Sequence, residues 1–452
     1  MRRRDVERIK ERTHLLKVIV FFAVLAIGAI VALILPLRPT KSELEKRDLT
    51  KFPEFSLASF VGGEYLTGID VWYSDTFPFR EQLLGMNSFV QSLKGIGTVQ
   101  IHGNVQAGDD IPVDTEGKIA SLDDEPSSEA PSSEQPTEPS NTEAPPVDDN
   151  PNVPTQTLGP VFVAGDSAYE FYRFGQSVSE KYSAVINYAA DMLDGKATVY
   201  DIIVPNSMGV MLSDKIKENI NTSDQKEAIN YMFSVMNSKV HKVNIYDELR
   251  AHRNEYIYFR TDHHWTQLGA YYAYTQFCKD KGITPKSIDS YEKIAFDGFL
   301  GSFYADSGQA PALGNNPDTV YGYYPKATNN MTYYDKNDNA VKWNVIYDVS
   351  GWKPATKYSA FIGGDNPWAQ ITNPELNDGS ACVVIKESYG NAFVPFLVDH
   401  YQNVYVIDYR YFKGKLSNFV AEHGIQDVIY INNIMATGTN LRIDDLIRIT
   451  KQ

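Results

Sequence analysis

The chain has 452 residues, 43% hydrophobic and 12% aromatic, with a formal net charge of −15. That length and apolar content suffice for a large core and more than one domain. Thirteen acidic side chains between residues 109 and 149 stand against Lys118 alone, so the rest of the chain is nearly neutral and no basic surface for nucleic acid is implied.

Two cysteines, Cys278 and Cys382, exclude a disulfide framework and read as buried thiols, with a single bridge between them left open. The 29 tyrosines suit polar, ring-shaped ligands such as sugars, and equally suit packing in sheets.

Residues 18–35 form an uncharged run of 18 residues, which as a helix would span about 27 Å, close to the hydrocarbon thickness of a bilayer. Arg2, Arg3, Arg4, Arg8, Lys10, Arg12 and Lys17 precede it. This flank predicts a cytoplasmic tail at 1–17, a transmembrane signal anchor at 18–37 and an extracellular remainder, held to the cell membrane by a single pass. A cleaved signal peptide is the alternative, but Pro36-Leu37-Arg38 follows the run instead of a small-residue cleavage site.

Residues 38–112 form a first extracytoplasmic segment, with an aromatic stretch at 72–80 and helical spacing from Glu81 to Leu93. From 113 to 158 the composition becomes Pro, Ser, Thr, Glu and Asp. Such a stretch buries too little apolar surface to offset chain entropy, so it is expected to be a disordered linker. The body is expected at 159–452.

In the body an apolar strand at 161–164 meets Gly165-Asp166-Ser167. A helix is predicted at 180–193, a buried strand at 199–204, and a helix at 224–239 capped by Ser223. Further strands are predicted at 243–246 and 256–259, and a helix at 267–280 capped by Thr266 and ended by Gly282. Residues 290–375, rich in Tyr, Asn, Gly and Asp, read as long loops or a small β insertion. The clearest rhythm is strand 382–385, helix 391–401, strand 404–407, helix 415–422 and strand 428–431. It predicts a parallel sheet with helices on both faces, with functional groups at the carboxyl ends of the strands.

Two places carry chemistry. Thr261-Asp262-His263-His264-Trp265-Thr266 puts a carboxylate and an imidazole two positions apart at a predicted strand end. Asp262 would hold the tautomer of His264, and His264 would take a proton from a serine hydroxyl. A polar turn capping the next helix is the plainer alternative. His263 reads as a supporting or solvent-facing residue. A metal bound by Asp262, His263 and His264 is disfavoured because adjacent histidines on a strand point to opposite faces, and no further Cys/His cluster accompanies them. No cofactor is implied.

In Lys386-Glu387-Ser388-Tyr389-Gly390-Asn391 the serine sits between an apolar strand and a helix. Such a turn exposes a hydroxyl, and the Tyr389 and Gly390 N–H groups become candidate oxyanion donors. An ordinary cap serine fits the same local sequence. Ser167 in Gly165-Asp166-Ser167 is the alternative nucleophile; both chain orders are acceptable, since a triad is defined by geometry.

Beyond these residues the chain resembles the DHHW family of bacterial extracytoplasmic proteins, which are similar to alginate O-acetylation proteins with a permuted SGNH-hydrolase-like domain. The resemblance lies in Phe52-Pro53-Glu54-Phe55-Ser56, Ser74-Asp75-Thr76-Phe77-Pro78-Phe79-Arg80, Thr261-Asp262-His263-His264-Trp265, Phe299-Leu300-Gly301-Ser302 and Lys386-Glu387-Ser388-Tyr389. Val394-Pro395-Phe396-Leu397 and Ile407-Asp408-Tyr409-Arg410 extend it.

The resemblance implies an SGNH-hydrolase-like (flavodoxin-like) α/β sheet and a triad of Asp262, His264 and Ser388, with Ser167 demoted. Glu387 stands where the family pattern leads one to expect Asp. Gly363-Gly364-Asp365-Asn366 is similar to a Gly-x-Asn oxyanion block, making Gly364 and Asn366 candidates, although a Gly-Asn turn is the plainer reading. Trp265 is placed either to stack on a sugar or to pack behind His264, and Arg410 either to meet an anionic group or to form a surface ion pair.

The implied activity is serine-dependent acetyl transfer to, or ester removal from, an exported or cell-wall polysaccharide. A membrane-bound O-acyltransferase is the implied acyl-donating partner. A non-catalytic polysaccharide-binding scaffold of an envelope assembly is the competing reading.

Overall fold

The computed structural model describes residues 41–42, 47–48, 50–56, 64–77, 108–112, 118–122 and 153–451. The expected membrane anchor at 18–37 and helix at 81–93 lie outside these residues. No helix among the described residues is long and apolar enough to cross a membrane.

The chain divides into a unit ending at Gly95 and a unit beginning at Ile96. In the first, a helix at Glu64–Asp75 presents Trp72, whose ring Phe52 meets edge-on at 4.8 Å.

The second unit holds the body. In chain order its main elements are β1 (Thr155–Leu158), β2 (Val161–Ala164), β3 (Ser167–Glu170), α1 (Gln176–Met192), β4 (Thr198–Val204), α2 (Gln225–Ser234), β5 (Val240–Lys242) and α3 (Gln267–Lys281). There follow β6 (Glu292–Phe299), β7 (Asp318–Tyr324), β8 (Asn330–Tyr334), β9 (Ala340–Asn344), β10 (Trp368–Thr372), β11 (Ala381–Lys386), α4 (Gly390–Leu397), β12 (Asn403–Asp408), α5 (Leu416–Glu422), β13 (Asp427–Asn433) and α6 (Asn440–Thr450).

Among the described residues, eight strands form the central sheet in the order β9-β8-β10-β12-β11-β13-β4-β5. From β12 to β5 every pairing is parallel; β9, β8 and β10 join antiparallel. The architecture is thus mixed α/β with a mostly parallel sheet, and the expected loop region at 290–375 supplies its antiparallel edge as well as the separate antiparallel pair β6–β7.

Successive side chains on a strand point to opposite faces, which sorts the core into two layers. From β11, Cys382 and Val384 pack with α3 and α4, while Ala381, Val383 and Ile385 pack with α1, α2, α5 and α6. Both cysteines are free and buried. The chain leaves β11 through α4 to β12 on one side, then returns through α5 to β13 on the other. The carboxyl end of β11 therefore lies between two strands whose ends face the same way.

Several expected boundaries move. The strand at 161–164 forms in a three-stranded antiparallel sheet with β1 and β3, where Gly165 turns the chain at φ +62°, and the expected helix follows as α1. Within the expected linker, residues 118–122 and 153–158 are described. Residues 155–158 are β1, and near residue 120 the Ala120 N–H donates to the Val235 carbonyl at 2.9 Å. Helix α2 is capped by the Asp224 carboxylate, not by Ser223, whose hydroxyl accepts from Phe174 N–H. The expected strand at 243–246 gives way to β5 and a helix at Tyr246–Ala251. Thr266 caps α3 as predicted, and Gly282 closes it at φ +76°.

Asp201 of β4 is fully buried under α1, where Tyr182 donates to its Oδ1 at 2.6 Å and Asn432 donates to the Tyr182 hydroxyl at 3.2 Å. Burial pushes the Asp201 carboxyl up to about 7. A raised folded-state pKa means that this group stabilises the fold fully below the unfolded value, near 4, and that the contribution is lost as pH rises through 7. Stability from this residue should fall by roughly 2 kcal/mol between pH 5.5 and 8. Thermal melts of Asp201→Asn should show a smaller fall over that range than the parent; an equal fall would refute the assignment.

Candidate active site

The segment before Asp262 is not the expected strand. Its backbone makes an irregular bend, closed by one antiparallel bridge between Tyr258 and Trp265 and by Phe259 N–H donating to the His264 carbonyl at 3.2 Å. Irregular backbone has no ladder to satisfy its N–H groups. Here the buried Asp318, at the start of β7, does so. It accepts from the Arg260 N–H at 3.1 Å, the Thr261 N–H at 2.8 Å, the Thr261 hydroxyl at 2.6 Å and the Tyr256 hydroxyl at 2.5 Å.

The bend places Asp262 and His264 together. His264 Nδ1 lies 2.5 Å from Asp262 Oδ1, and the His264 backbone N–H donates to the same oxygen at 3.0 Å. The other carboxylate oxygen accepts from Ser302 N–H at 2.8 Å. A Cβ on Gly301 would fall 2.1 Å from Asp262 Oδ2, so only glycine lets the 301–302 backbone approach this closely. Because the histidines sit in a bend, their rings are not on opposite faces as expected. Their centroids are 3.9 Å apart, and His263 Nδ1 meets the Ser302 hydroxyl at 2.6 Å.

Ser388 follows β11 in a bend that opens into α4. Its Oγ lies 2.7 Å from His264 Nε2, 124 residues away in the chain. The structure thus brings Asp262, His264 and Ser388 into one hydrogen-bonded line. Ser167 lies at the head of the β2–β3 hairpin, where its hydroxyl donates to Asp166 at 3.1 Å.

The expected oxyanion donors are already engaged. Tyr389 N–H donates to Glu387 Oε2 at 3.2 Å and Gly390 N–H to the Glu387 carbonyl at 3.0 Å. Gly364 N–H donates to the Phe361 carbonyl at 2.9 Å, and the Asn366 amide to the Gly363 carbonyl at 3.3 Å. Trp265 is fully buried and donates to the Tyr389 carbonyl at 2.9 Å, so it packs behind His264 and presents no ring to a sugar.

Arg410 is no surface residue. It donates to Asp408 at 2.6 Å and pairs with Asp365 at 2.9 Å. The buried Lys386 ammonium joins the same two carboxylates at 2.8 and 3.0 Å, and Asn391 donates to Asp365 at 3.0 Å. Burial pushes the Asp365 carboxyl up, but Lys386 and Arg410 outweigh it and hold the group far below the usual carboxylate range. This charged network is joined to both sides of the Ser388 turn, through Lys386 before it and Asn391 after it.

Four residues of the site escaped sequence reasoning: Tyr358, Ser302, Asp318 and Asp365. Tyr358, from the 3-10 turn at Pro354–Ala360, donates to the Ser388 carbonyl at 3.0 Å and stacks on His264 with centroids 3.8 Å apart. Ser302 lies in a stretch that carried the family resemblance, and Asp365 adjoins the Gly-Gly turn; nothing local marked Tyr358 or Asp318.

Asp262, His263 and His264 each offer one ligand atom within 4.8 Å of the others. Both His264 nitrogens are bonded, to Asp262 and to Ser388, so an ion there would displace the serine or the aspartate.

A mostly parallel α/β sheet with an Asp-His-Ser line at the end of a central strand defines the class. The chain belongs to the DHHW protein family, whose model matches residues 45–129 and 135–407. A crystal structure of a DHHW family protein from Eubacterium siraeum is similar at 27% identity and TM-score 0.61, over 66% of this chain and 99% of that one. Bacillus cereus PatB1, solved with a sulfonyl adduct, is similar at 17% identity and TM-score 0.53, over 62% and 96%. The O-acetyltransferase domain of Pseudomonas putida AlgJ aligns at 13% identity and TM-score 0.33, over 64% and 97%. No curated protein matches the chain.

Asp318→Asn presents an amide N–H to donors that need an acceptor, and should cost about 2–4 kcal/mol of stability. It should also slow labelling of Ser388 by phenylmethanesulfonyl fluoride, read by intact mass, well below the parent rate at a temperature where both are folded. An unchanged labelling rate would show that Asp318 does not set the position of His264.

Proposed function

We propose that the chain is a membrane-anchored, extracytoplasmic serine-dependent O-acetyltransferase or acetylesterase acting on an exported or cell-wall polysaccharide. The observation that carries this reading is the continuous line from Asp262 through His264 to Ser388, at 2.5 and 2.7 Å. The acetyl group and the polymer come from the motif resemblance to alginate O-acetylation proteins. The anchor comes from the apolar run at 18–35 with its basic flank.

In this mechanism the Ser388 proton passes to His264 Nε2 as Oγ attacks the acyl carbonyl carbon, while Asp262 holds Nδ1–H and the developing imidazolium. Collapse of the tetrahedral species breaks the bond to the donor's leaving group, which takes the proton from His264. A sugar hydroxyl or water then gives its proton to His264 and attacks the acyl-serine, and the proton returns to Ser388 as the new ester or acetate departs. A membrane-bound O-acyltransferase is the proposed source of the acyl group.

The scaffold reading draws on one observation, the engagement of the N–H groups after Ser388 by Glu387. The two readings part on turnover. Hydrolysis of 4-nitrophenyl acetate by the full chain should fall by about 10²-fold or more in Ser388→Ala and stay at the parent rate in Ser167→Ala. Equal rates in the parent and Ser388→Ala would favour the scaffold, and loss confined to Ser167→Ala would move the nucleophile.

A further inference from the structure

The His264 imidazole is held between two rings. Tyr358 lies on it with centroids 3.8 Å apart and planes 13° from parallel. His263 lies on it at 3.9 Å and 35°. Two rings at such distances cannot share one face of an imidazole, so they occupy opposite faces.

Each ring is fixed by bonds to other parts of the site. The Tyr358 hydroxyl donates to the Ser388 carbonyl at 3.0 Å, tying this ring to the nucleophile turn. His263 Nδ1 meets the Ser302 hydroxyl at 2.6 Å, and Ser302 N–H holds the far oxygen of Asp262 at 2.8 Å. The Tyr389 hydroxyl donates to the His263 carbonyl. The two rings are therefore tied to the Ser388 turn directly and, through Ser302, to Asp262.

We propose that Tyr358 and His263 are positioning residues that clamp His264 face to face and stabilise its protonated form during turnover. The inference rests on the triad reading. Hydrogen bonds at Nδ1 and Nε2 leave the ring free to rock about the line joining them, and stacked neighbours on both faces remove that motion. An aromatic face also attracts a cation held over it, most strongly where water is excluded. His264 is buried, so the imidazolium formed when it accepts the Ser388 proton has little solvent to rely on.

The clamp works only if His263 is itself neutral. Burial lowers the His263 pKa, and the adjacent His264 lowers it further, against the opposing pull of Asp262, Glu170 and Glu387. The groups facing His264 are Asp262 at Nδ1, Ser388 at Nε2 with Glu387 behind it at 3.2 Å, and the Tyr389 ring at 5.1 Å.

The test separates a ring from a filled space, using the full chain. Tyr358→Phe and His263→Phe keep an aromatic face and lose a polar atom; Tyr358→Leu and His263→Leu keep apolar bulk and lose the face. The His264 pKa is read by NMR in ¹³C-histidine-labelled protein, with the resonance assigned from His264→Gln and folding checked by thermal melts. The leucine variants should lower it by about 0.5–1, while the phenylalanine variants stay near the parent. The acid limb of 4-nitrophenyl acetate hydrolysis should move with it. A pKa equal in the leucine and phenylalanine variants, or raised in the leucine variants, overturns the clamp. If the pKa moves as expected and no ester is turned over, the proposed reaction fails and the clamp stands.

Discussion

The two carboxylate oxygens of Asp318 decide where the imidazole can be. Residues 256–261 form neither helix nor strand, and their polar groups would be costly to bury unpaired. Asp318 takes two of their backbone N–H groups and two hydroxyls, and the Arg260 side chain also reaches it at 3.3 Å. Once that bend is fixed, Asp262 must leave it toward Gly301, and His264 must fall over the end of β11. The close approach of Gly301 and the Trp265 bond to the Tyr389 carbonyl then lock the bend to its neighbours.

Much of this was legible in the sequence. Continuous apolar runs at β11, β12 and β13, with helical patterns between them, sufficed to place Ser388 at a carboxyl end of a parallel sheet. The cap at Thr266 and the stop at Gly282 were equally plain, because each rests on one residue type with one backbone requirement. The line joining Ser388, His264 and Asp262 followed from motif order once the family resemblance was admitted.

What was not legible depended on long-range partners. Alternating residues at 256–259 look like a strand, but Asp318 competes for their backbone from some 58 residues away. Ser223 and Asp224 are adjacent residues of equally good capping chemistry, and Phe174 N–H takes the serine. Gly165-Asp166-Ser167 has the local pattern of a nucleophile turn, and the pairing of β2 with β3 makes it a hairpin instead. Tyr358 could not be singled out among so many tyrosines, because its role comes from a ring placed over another ring rather than from any spacing along the chain.

The antiparallel edge of the sheet has a consequence for dissecting this protein. Asp262, His264 and Ser388 all lie outside β8, β9 and β10, so a trimmed version lacking residues 325–375 would keep the whole Asp-His-Ser set and every parallel strand. It would nevertheless lose Tyr358 from the face of the imidazole and Asp365 from between Lys386 and Arg410, leaving two cations with Asp408 as their remaining shared carboxylate. The candidate site is therefore not coextensive with the parallel fold that displays it. A shortened chain cut along the seam between parallel and antiparallel strands would inherit the Asp-His-Ser line without the surroundings that orient it.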